Sequence, residues 1–290
     1  MASAASIAES RFAERVPPQA YFVVSAIFHY LGPAFAVMLF SAIAPLGVAW
    51  LRIASAAIVF AIWRRPWRYF RTLTVAERWA VTGLGVSLAA MNSFFYLAID
   101  QLPLGAVGAI EFLGPIGLAA LGVRSARNLA ALAVAVAGVA ILTEVRLAAA
   151  PLGYVFAFAD CALFVLYIVL GHRISGRGGI DRLGLAMLIA MAAALPVGIG
   201  DAAPAFLDLR LLAAGIGVGV SSSVIPYVTD QLAMARLPRA TFALFLSILP
   251  ATATAIGFLA LRQIPTVAEL FGVGLVIIGV ALHRAKETGQ

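Results

Sequence analysis

Charge is what this chain has least of. Only 11% of its 290 residues are Asp, Glu, Lys or Arg, against roughly 25% in an ordinary soluble domain. That excludes a normal water-facing surface around a globular core. Lysine occurs once, as Lys286, among twenty basic residues. Cysteine also occurs once, as Cys161, which excludes a disulfide framework and a thiolate metal cluster; it reads as a small buried apolar residue. The three histidines, His29, His172 and His283, lack metal-ligand spacing. No phosphate-binding glycine loop for ATP and no nucleophile elbow can be found. No cofactor, no metal and no enzymatic activity are therefore expected, and any energy source is a gradient.

Apolar residues fill the space that charge leaves. They make up 63% of the chain, and the mean hydropathy is +1.03. A bilayer-spanning helix takes about 20 mostly apolar residues. Ten such spans follow one another at 20–40, 46–63, 79–99, 103–123, 128–145, 153–172, 183–200, 209–233, 238–261 and 267–283. The short connections make one all-α polytopic membrane domain. Glu9, Arg11, Glu14 and Arg15, then Pro17-Pro18, precede a first apolar run too long for a signal-peptide core, so the N-terminus is expected to be retained.

The net charge of +7 and pI near 10.2 do not mark a nucleic-acid binder, because the basic residues lie in short loops. They report topology instead. With the N-terminus cytoplasmic, sixteen basic residues fall on the inner side, among them Arg64, Arg65, Arg68, Arg71 and Arg78. Only Arg146, Arg210 and Arg262 fall outside, with Arg52 inside a span. The positive-inside rule then predicts both termini in the cytoplasm.

An internal repeat reorganises the ten spans. Leu102-Pro103 and Pro115 recur 135 residues later as Leu237-Pro238 and Pro250. Leu46-Gly47 matches Leu183-Gly184 at an offset of 137, and Gly138-Val139-Ala140 matches Gly279-Val280-Ala281. Spans 1–5 thus map onto spans 6–10, and because five is odd the second half is inverted. The expected organisation is a cytoplasmic segment 1–19, repeats at 20–147 and 151–283, and a cytoplasmic tail 284–290. Inverted repeats are the architecture of many secondary transporters.

Gly85-Val86-Ser87-Leu88, Met91-Asn92, Phe95-Tyr96-Leu97, Pro103-Leu104-Gly105, Glu111-Phe112 and Gly114-Pro115 form one block. Ile225-Pro226-Tyr227, Arg236-Leu237-Pro238, Thr241-Phe242, Ser247 and Pro250-Ala251 form a second. With the tenfold span pattern these blocks resemble the EamA family of the drug/metabolite transporter superfamily, and within it the threonine/homoserine exporter group. The resemblance implies ten helices in two inverted five-helix EamA repeats, a central cavity, and export of amino acids or related small metabolites across a bacterial inner membrane. This sequence departs from the group at Leu249, where a Glu precedes the span 9 proline, and at Leu261-Arg262, where many EamA repeats have Gly-Glu.

Ionisable groups within spans face the bundle interior or a wet cavity. Arg52, Glu111 and Asp160 each lie roughly 9–12 Å inward from the outer end of their helix at about 1.5 Å per residue, and His29 lies near mid-depth. Glu111, flanked by Gly108, Gly114 and Pro115, either binds an ammonium or a coupling proton, or is a structural carboxylate. Arg52 pairs with Glu111 or Asp160, or snorkels outward; the resemblance places an Arg at this point. Asp160 shares a face with Phe164 and Tyr167 and is a cavity wall or half of a buried ion pair. His29, beside Ser25 and Gly32, is a packed neutral histidine or a proton relay. Asn92 and Tyr96 lie on one face of span 3 and either line the cavity or bond another helix. Ser222 and Tyr227 of span 8 are candidate cavity wall, and Pro115, Pro226 and Pro250 are candidate hinges. Trp50 reads as an interfacial anchor.

The combined expectation is a secondary, non-ATP exporter working by alternating access. Its partners are a small-molecule substrate, membrane lipid and, if the coupling ion is a proton, protons; monomer and homodimer both fit. Export of drugs or lipophilic cations, a lipid-modifying membrane enzyme, and a non-transporting scaffold are the alternatives.

Overall fold

The computed structural model describes residues 17–114, 116–117, 125–146, 150–174, 179–234 and 249–282. Among the described residues the regular elements are all helical. In chain order they are α1 (Pro18–Leu39), α2 (Pro45–Arg64), α3 (Val75–Gln101), α4 (Leu104–Glu111), α5 (Ala126–Arg146), α6 (Pro151–Ile174), α7 (Gly179–Gly198), α8 (Leu209–Gly219), α9 (Ile225–Met234), α10 (Leu249–Leu261) and α11 (Val267–Leu282). A π-helical turn, Val220–Val224, joins α8 to α9, and short helical turns occupy Trp67–Phe70 and Ala203–Leu207.

Five stretches are long and apolar enough to cross a membrane: Pro45–Arg64, Val75–Gln101, Pro151–Gly171, Gly179–Gly198 and Leu209–Thr229. Shorter apolar helices cover Val23–Leu39, Ala126–Leu142, Leu249–Leu261 and Val267–Leu282. Expected span 4 breaks at a turn at Phe112 and is helical again at 113–114 and 116–117, and the described part of span 9 begins at Leu249. Pro115, the segment 1–16 and the tail beyond Leu282 lie outside the described residues.

The helix ends follow local chemistry. Pro18, Pro45 and Pro151 each stand first in their helix, where a missing N–H removes a donor that has no intrahelical acceptor. Thr74 and Glu77 cap α3 reciprocally: the Glu77 N–H donates to Thr74 Oγ1 at 3.3 Å and the Thr74 N–H to Glu77 Oε2 at 2.9 Å. Thr266 and Glu269 repeat that box on α11. The chain leaves α10 through Arg262 in a left-handed conformation, φ 55°. That turn brings Gln263 Oε1 to accept from the Leu104 N–H at 3.1 Å, satisfying an orphan donor at the start of α4.

Packing is by helix pairs. α3 lies along α6 and α7, α2 along α7 and α8, α1 along α9 and α10, α4 along α6 and α10, and α5 along α11. The α5–α11 pair depends on missing side chains. A Cβ on Gly138 would sit 2.5 Å from the Gly272 carbonyl oxygen, and one on Gly279 would sit 2.7 Å from that of Ala131. Such close approach is how helices gain contact energy in lipid, where apolar burial gives no drive.

The outward surface is apolar, with Leu207, Val267 and Leu259 among the most exposed residues. Water would not tolerate this; lipid does. Trp63, Trp67, Tyr69 and Trp79 are exposed together around the α2–α3 connection, beside its arginines, as an interfacial aromatic belt. Trp50 is not part of a belt, contrary to the sequence expectation. It is buried against α7, with Gly198 beside its Cβ and its indole N–H donating to the Met191 carbonyl at 3.2 Å. At the same end as the belt, Arg64 holds Asp181 through two bonds of 2.8 and 3.1 Å, and Arg182 holds Glu77 at 2.5 Å. These pairs tie the starts of α3 and α7 to the end of α2.

Gly138→Leu should break the α5–α11 contact and lower stability by about 1–3 kcal/mol, the usual scale of overpacking. Gly274→Ala, where a Cβ meets nothing within 4 Å, should leave the thermal midpoint in detergent where it was. Equal midpoints for the two variants would refute the packing argument.

Candidate functional site

The site begins with a proline. Pro226 has no N–H, so the carbonyl of Ser222, four residues earlier, loses its usual helical donor. Arg52 of α2 takes that place. Its Nη2 donates to the Ser222 carbonyl at 3.0 Å and its Nε to Ser223 Oγ at 2.9 Å. The guanidinium also stands over the Tyr96 ring, 5.5 Å from its centroid, in cation–π range. Arg52 is buried, and it forms no ion pair with Glu111 or Asp160. Both pairing and outward snorkelling are corrected here: a freed backbone carbonyl and a serine hydroxyl bind the cation where a carboxylate was expected.

α1 closes one side of this cluster. The backbone of Gly32 touches Ser222 so closely that a Cβ there would collide with the serine side chain. Ser25 Oγ, two turns earlier, donates to the Pro226 carbonyl at 3.5 Å. α1 and the π turn are therefore in contact along the segment that Arg52 grips.

A second cluster lies on α4 and α6. Glu111 and Asp160 are buried and close enough to interact with each other and with Arg52. The Tyr30 hydroxyl lies over Gly108, where a Cβ would be 3.0 Å away, and beside Glu111 one turn on. Tyr30 is fully buried and was not singled out from the sequence; an aromatic residue in an apolar span carries no signal in hydropathy.

Among the described residues, six buried side-chain atoms make no hydrogen bond of good geometry: Glu111 Oε2, both Asp160 carboxylate oxygens, and the hydroxyls of Tyr30, Tyr96 and Ser222, although Tyr30 lies beside Glu111 and Tyr96 beside Arg52 and Ser222. Native interiors seldom leave polar atoms unpaired, and each such group costs on the order of 1–3 kcal/mol. The six fall into two groups, one holding all the carboxylate oxygens and the other the two hydroxyls nearest Arg52. The carboxylate oxygens accept only; they and the Tyr30 hydroxyl gather on the α1–α4–α6 side. The Tyr96 and Ser222 hydroxyls, which can donate, gather around Arg52.

A ladder of aromatic rings runs beside both groups. Phe112 meets Phe164 edge-on at 6.2 Å, Phe164 stacks on Tyr167 at 5.8 Å, and Tyr167 stacks on Tyr227 at 6.5 Å. This ladder crosses from α4 through α6 to α9. His29 is half-buried, its ring edge-on to Tyr30 at 5.4 Å. Asn92 is turned back on its own helix, donating to the Leu88 carbonyl at 2.7 Å. Pro250 is buried at the start of α10 and its carbonyl accepts from Thr254 Oγ1. The expected residues Arg52, Tyr96, Glu111, Asp160, Ser222 and Tyr227 thus surround one region. His29 adjoins it, while Asn92 spends its amide within α3.

Two turns along α4 from Glu111 a cavity of about 350 Å³ opens between the α3–α4 and α10–α11 connections, lined by Gln101, Pro103, Gly105, Thr254, Gln263 and Glu269 among others. Gly105 against Thr254, where a Cβ would be 2.5 Å from the threonine hydroxyl, is the contact between that cavity and the α1–α4 core.

A polar, charged region with unpaired groups, walled by aromatics inside a multi-pass apolar helical protein, defines a membrane transporter. The profile of the EamA-like transporter family matches residues 151–284. The threonine/homoserine exporter RhtA of Escherichia coli is 30% identical over 270 residues, covering 89% of this chain and 88% of that protein. RhtA of Salmonella typhimurium is 29% identical over 256 residues, covering 85% and 84%. A protein crystal structure with 18% identity shares the fold at a TM-score of 0.57, over 91% of this chain and 96% of the other. The chain belongs to the EamA-like transporter family.

Tyr30→Phe and Tyr96→Phe remove hydroxyls that make no hydrogen bond of good geometry among the described residues, so each should leave the thermal midpoint unchanged or raise it. Ser223→Ala strips the Arg52 Nε of its acceptor and should lower stability by about 1–3 kcal/mol. Thermal unfolding in detergent separates the two outcomes; a large loss in either Tyr variant would mean the hydroxyls are structural.

Proposed function

We propose that this protein is a secondary exporter of α-amino acids in a bacterial inner membrane, built as ten spans in two inverted five-helix halves with both termini cytoplasmic. The observation that carries the substrate class is the grouping of the six unpaired atoms. An ammonium brings three N–H donors, and Glu111 and Asp160 offer three unpaired acceptors. A carboxylate brings acceptors, and Tyr96 and Ser222 offer unpaired hydroxyls beside the Arg52 guanidinium. The ammonium of the cargo sits at the acid pole, its carboxylate at the arginine pole, and its side chain against the aromatic ladder. The names of the relatives, threonine/homoserine exporters, support the same class.

The packing supports the inverted repeat. Exchanging each span with the one five places on turns α3 against α6 into α9 against α1, α3 against α7 into α8 against α2, and α4 against α6 into α10 against α1. The pairs α2–α7, α4–α10 and α5–α11 map onto themselves. At residue level, 141 positions separate Gly138 from Gly279 and also Ala131 from Gly272, so the Gly138–Gly272 contact maps onto the Gly279–Ala131 contact. Two similar halves can exchange conformations, and with them the side on which the site opens. The cavity beside Gly105 and Thr254 is the outer vestibule of that path.

Purified protein in proteoliposomes should catalyse counterflow of radiolabelled L-threonine or L-homoserine. Glu111→Gln and Asp160→Asn should each weaken apparent affinity about tenfold or more, since a hydrogen bond to a charged group contributes roughly 1.5–3 kcal/mol. Absence of flux for a full amino-acid panel would remove the substrate class. For orientation, a single cysteine at residue 290 in a Cys161→Ser background should react with an impermeant maleimide only in inside-out vesicles; labelling in right-side-out cells would invert the topology.

A further inference from the structure

The charges of the site do not match a neutral amino acid. Two buried carboxylates, Glu111 and Asp160, face one buried guanidinium, Arg52. A neutral amino acid supplies one ammonium and one carboxylate. One acid is then left without a counter-charge and must hold a proton to remain buried, a proton whose place a second ammonium can take. An uncompensated charge is far more expensive there than at a surface. The ligand whose charges complement two anions and one cation carries two ammonium groups and one carboxylate.

The distance between the acids limits how far apart those ammonium groups can be. α4 and α6 pack closely just past Glu111: a Cβ on Gly114 would lie 3.0 Å from the carbonyl oxygen of Cys161, the residue after Asp160. Glu111 and Asp160 therefore stand on adjoining helices on the same side of the region. Tyr30 is next to Glu111 and Cys161 is next to Asp160; neither brings a positive charge. Beyond them the Phe112–Phe164 contact closes the wall. With the two acids on adjoining helices, a spacer of one or two methylenes keeps both ammonium groups at the acid pole.

We propose that the site takes short-chain dibasic amino acids in addition to neutral ones, with the α-ammonium and the side-chain ammonium shared between Glu111 and Asp160 and the carboxylate at the Arg52 pole. This rests on the amino-acid reading above. L-2,4-diaminobutyrate and L-homoserine are near-isosteres that differ by an ammonium in place of a hydroxyl, so comparing them isolates the second charge from size and shape.

The experiment is counterflow in proteoliposomes of the full chain with both radiolabelled compounds, each also used to compete against the other. L-2,4-diaminobutyrate is expected to be transported and to compete at least as well as homoserine. Asp160→Asn removes one anion and should shift the preference toward homoserine by about tenfold or more. Glu111→Gln provides the same reading if the first variant does not fold. Transport of homoserine without transport of or competition by diaminobutyrate overturns the inference and leaves the amino-acid reading standing. An unchanged preference in both variants also overturns it, because the second charge would then not be read by these acids. Failure of both compounds to move overturns the amino-acid reading and this inference together.

Discussion

The arrangement of the site depends on one backbone carbonyl. Pro226 leaves the Ser222 oxygen without its α-helical donor; the chain there runs as the π turn Val220–Val224, and Arg52 donates to that oxygen. A free carbonyl within a membrane span is a strong acceptor with no water to satisfy it, and an arginine is an expensive donor with nowhere polar to go. Each solves the other's problem. The guanidinium is thereby fixed in direction, with its face toward Tyr96 and away from direct contact with the carboxylates. Had Arg52 paired with Glu111 or Asp160, the acid pole would be filled by the protein itself and there would be no place for a cationic group of the cargo.

Holding opposite charges near each other but apart is costly, and the surroundings show what sustains it. Tyr30, Tyr96, Phe112 and Asp160 are essentially inaccessible, so the region is of low dielectric and the groups interact over several ångströms. The charged residues do not follow the proposed duplication. At the offset of 137, Ile189 stands where Arg52 stands in the first half; at 135, Leu246 answers Glu111. A two-fold scaffold gives equivalent halves that can exchange shape, while an asymmetric set of charges gives the cargo a single orientation. A symmetric site would bind a zwitterion equally well in two opposed directions and gain no selectivity from either.

What could be read in advance follows from how rare each signal is. A charge inside an apolar run stands out, so Arg52, Glu111 and Asp160 were identifiable one by one, and the helices described for spans 1, 2, 3, 5, 6, 7 and 10 end within a few residues of the expected bounds, while span 4 breaks at Phe112. Their partners were not. Tyr30 looks like any other aromatic residue in a membrane helix, and its role depends on Gly108 of another helix lying beneath it. Trp50 sits near a helix end, where a belt residue belongs, but its rotation toward α7 is set by Gly198, a contact distant in sequence. The Arg52 acceptor did leave a trace: a proline four residues after a serine marks a carbonyl in need of a donor. Asn92 was misleading for the opposite reason, because an amide can satisfy itself within one turn of its own helix.

The same carbonyl limits how the protein can move. Arg52 belongs to α2, which is packed on α7 through Trp50 and Gly198 and on the following turn at Asp201-Ala202 through Gly47. Its acceptors belong to the segment between α8 and α9, which is packed on α1 through Gly32. Any motion separating α2 from α8 must break two charge-assisted bonds and return both a guanidinium and a free carbonyl to an apolar environment. The cheaper motions keep those four elements together and let α3, α4 and α10 rock against them. The contacts between the two groups include Gly108 of α4 with Tyr30 of α1 and Gly85 of α3 with Ala186 and Ile189 of α7, while Gly105 with Thr254 holds α4 to α10 within the moving group. For the exporter proposed above, the arginine pole is then the fixed wall of the site and the acid pole, carried partly on α4, is the wall that closes on the cargo.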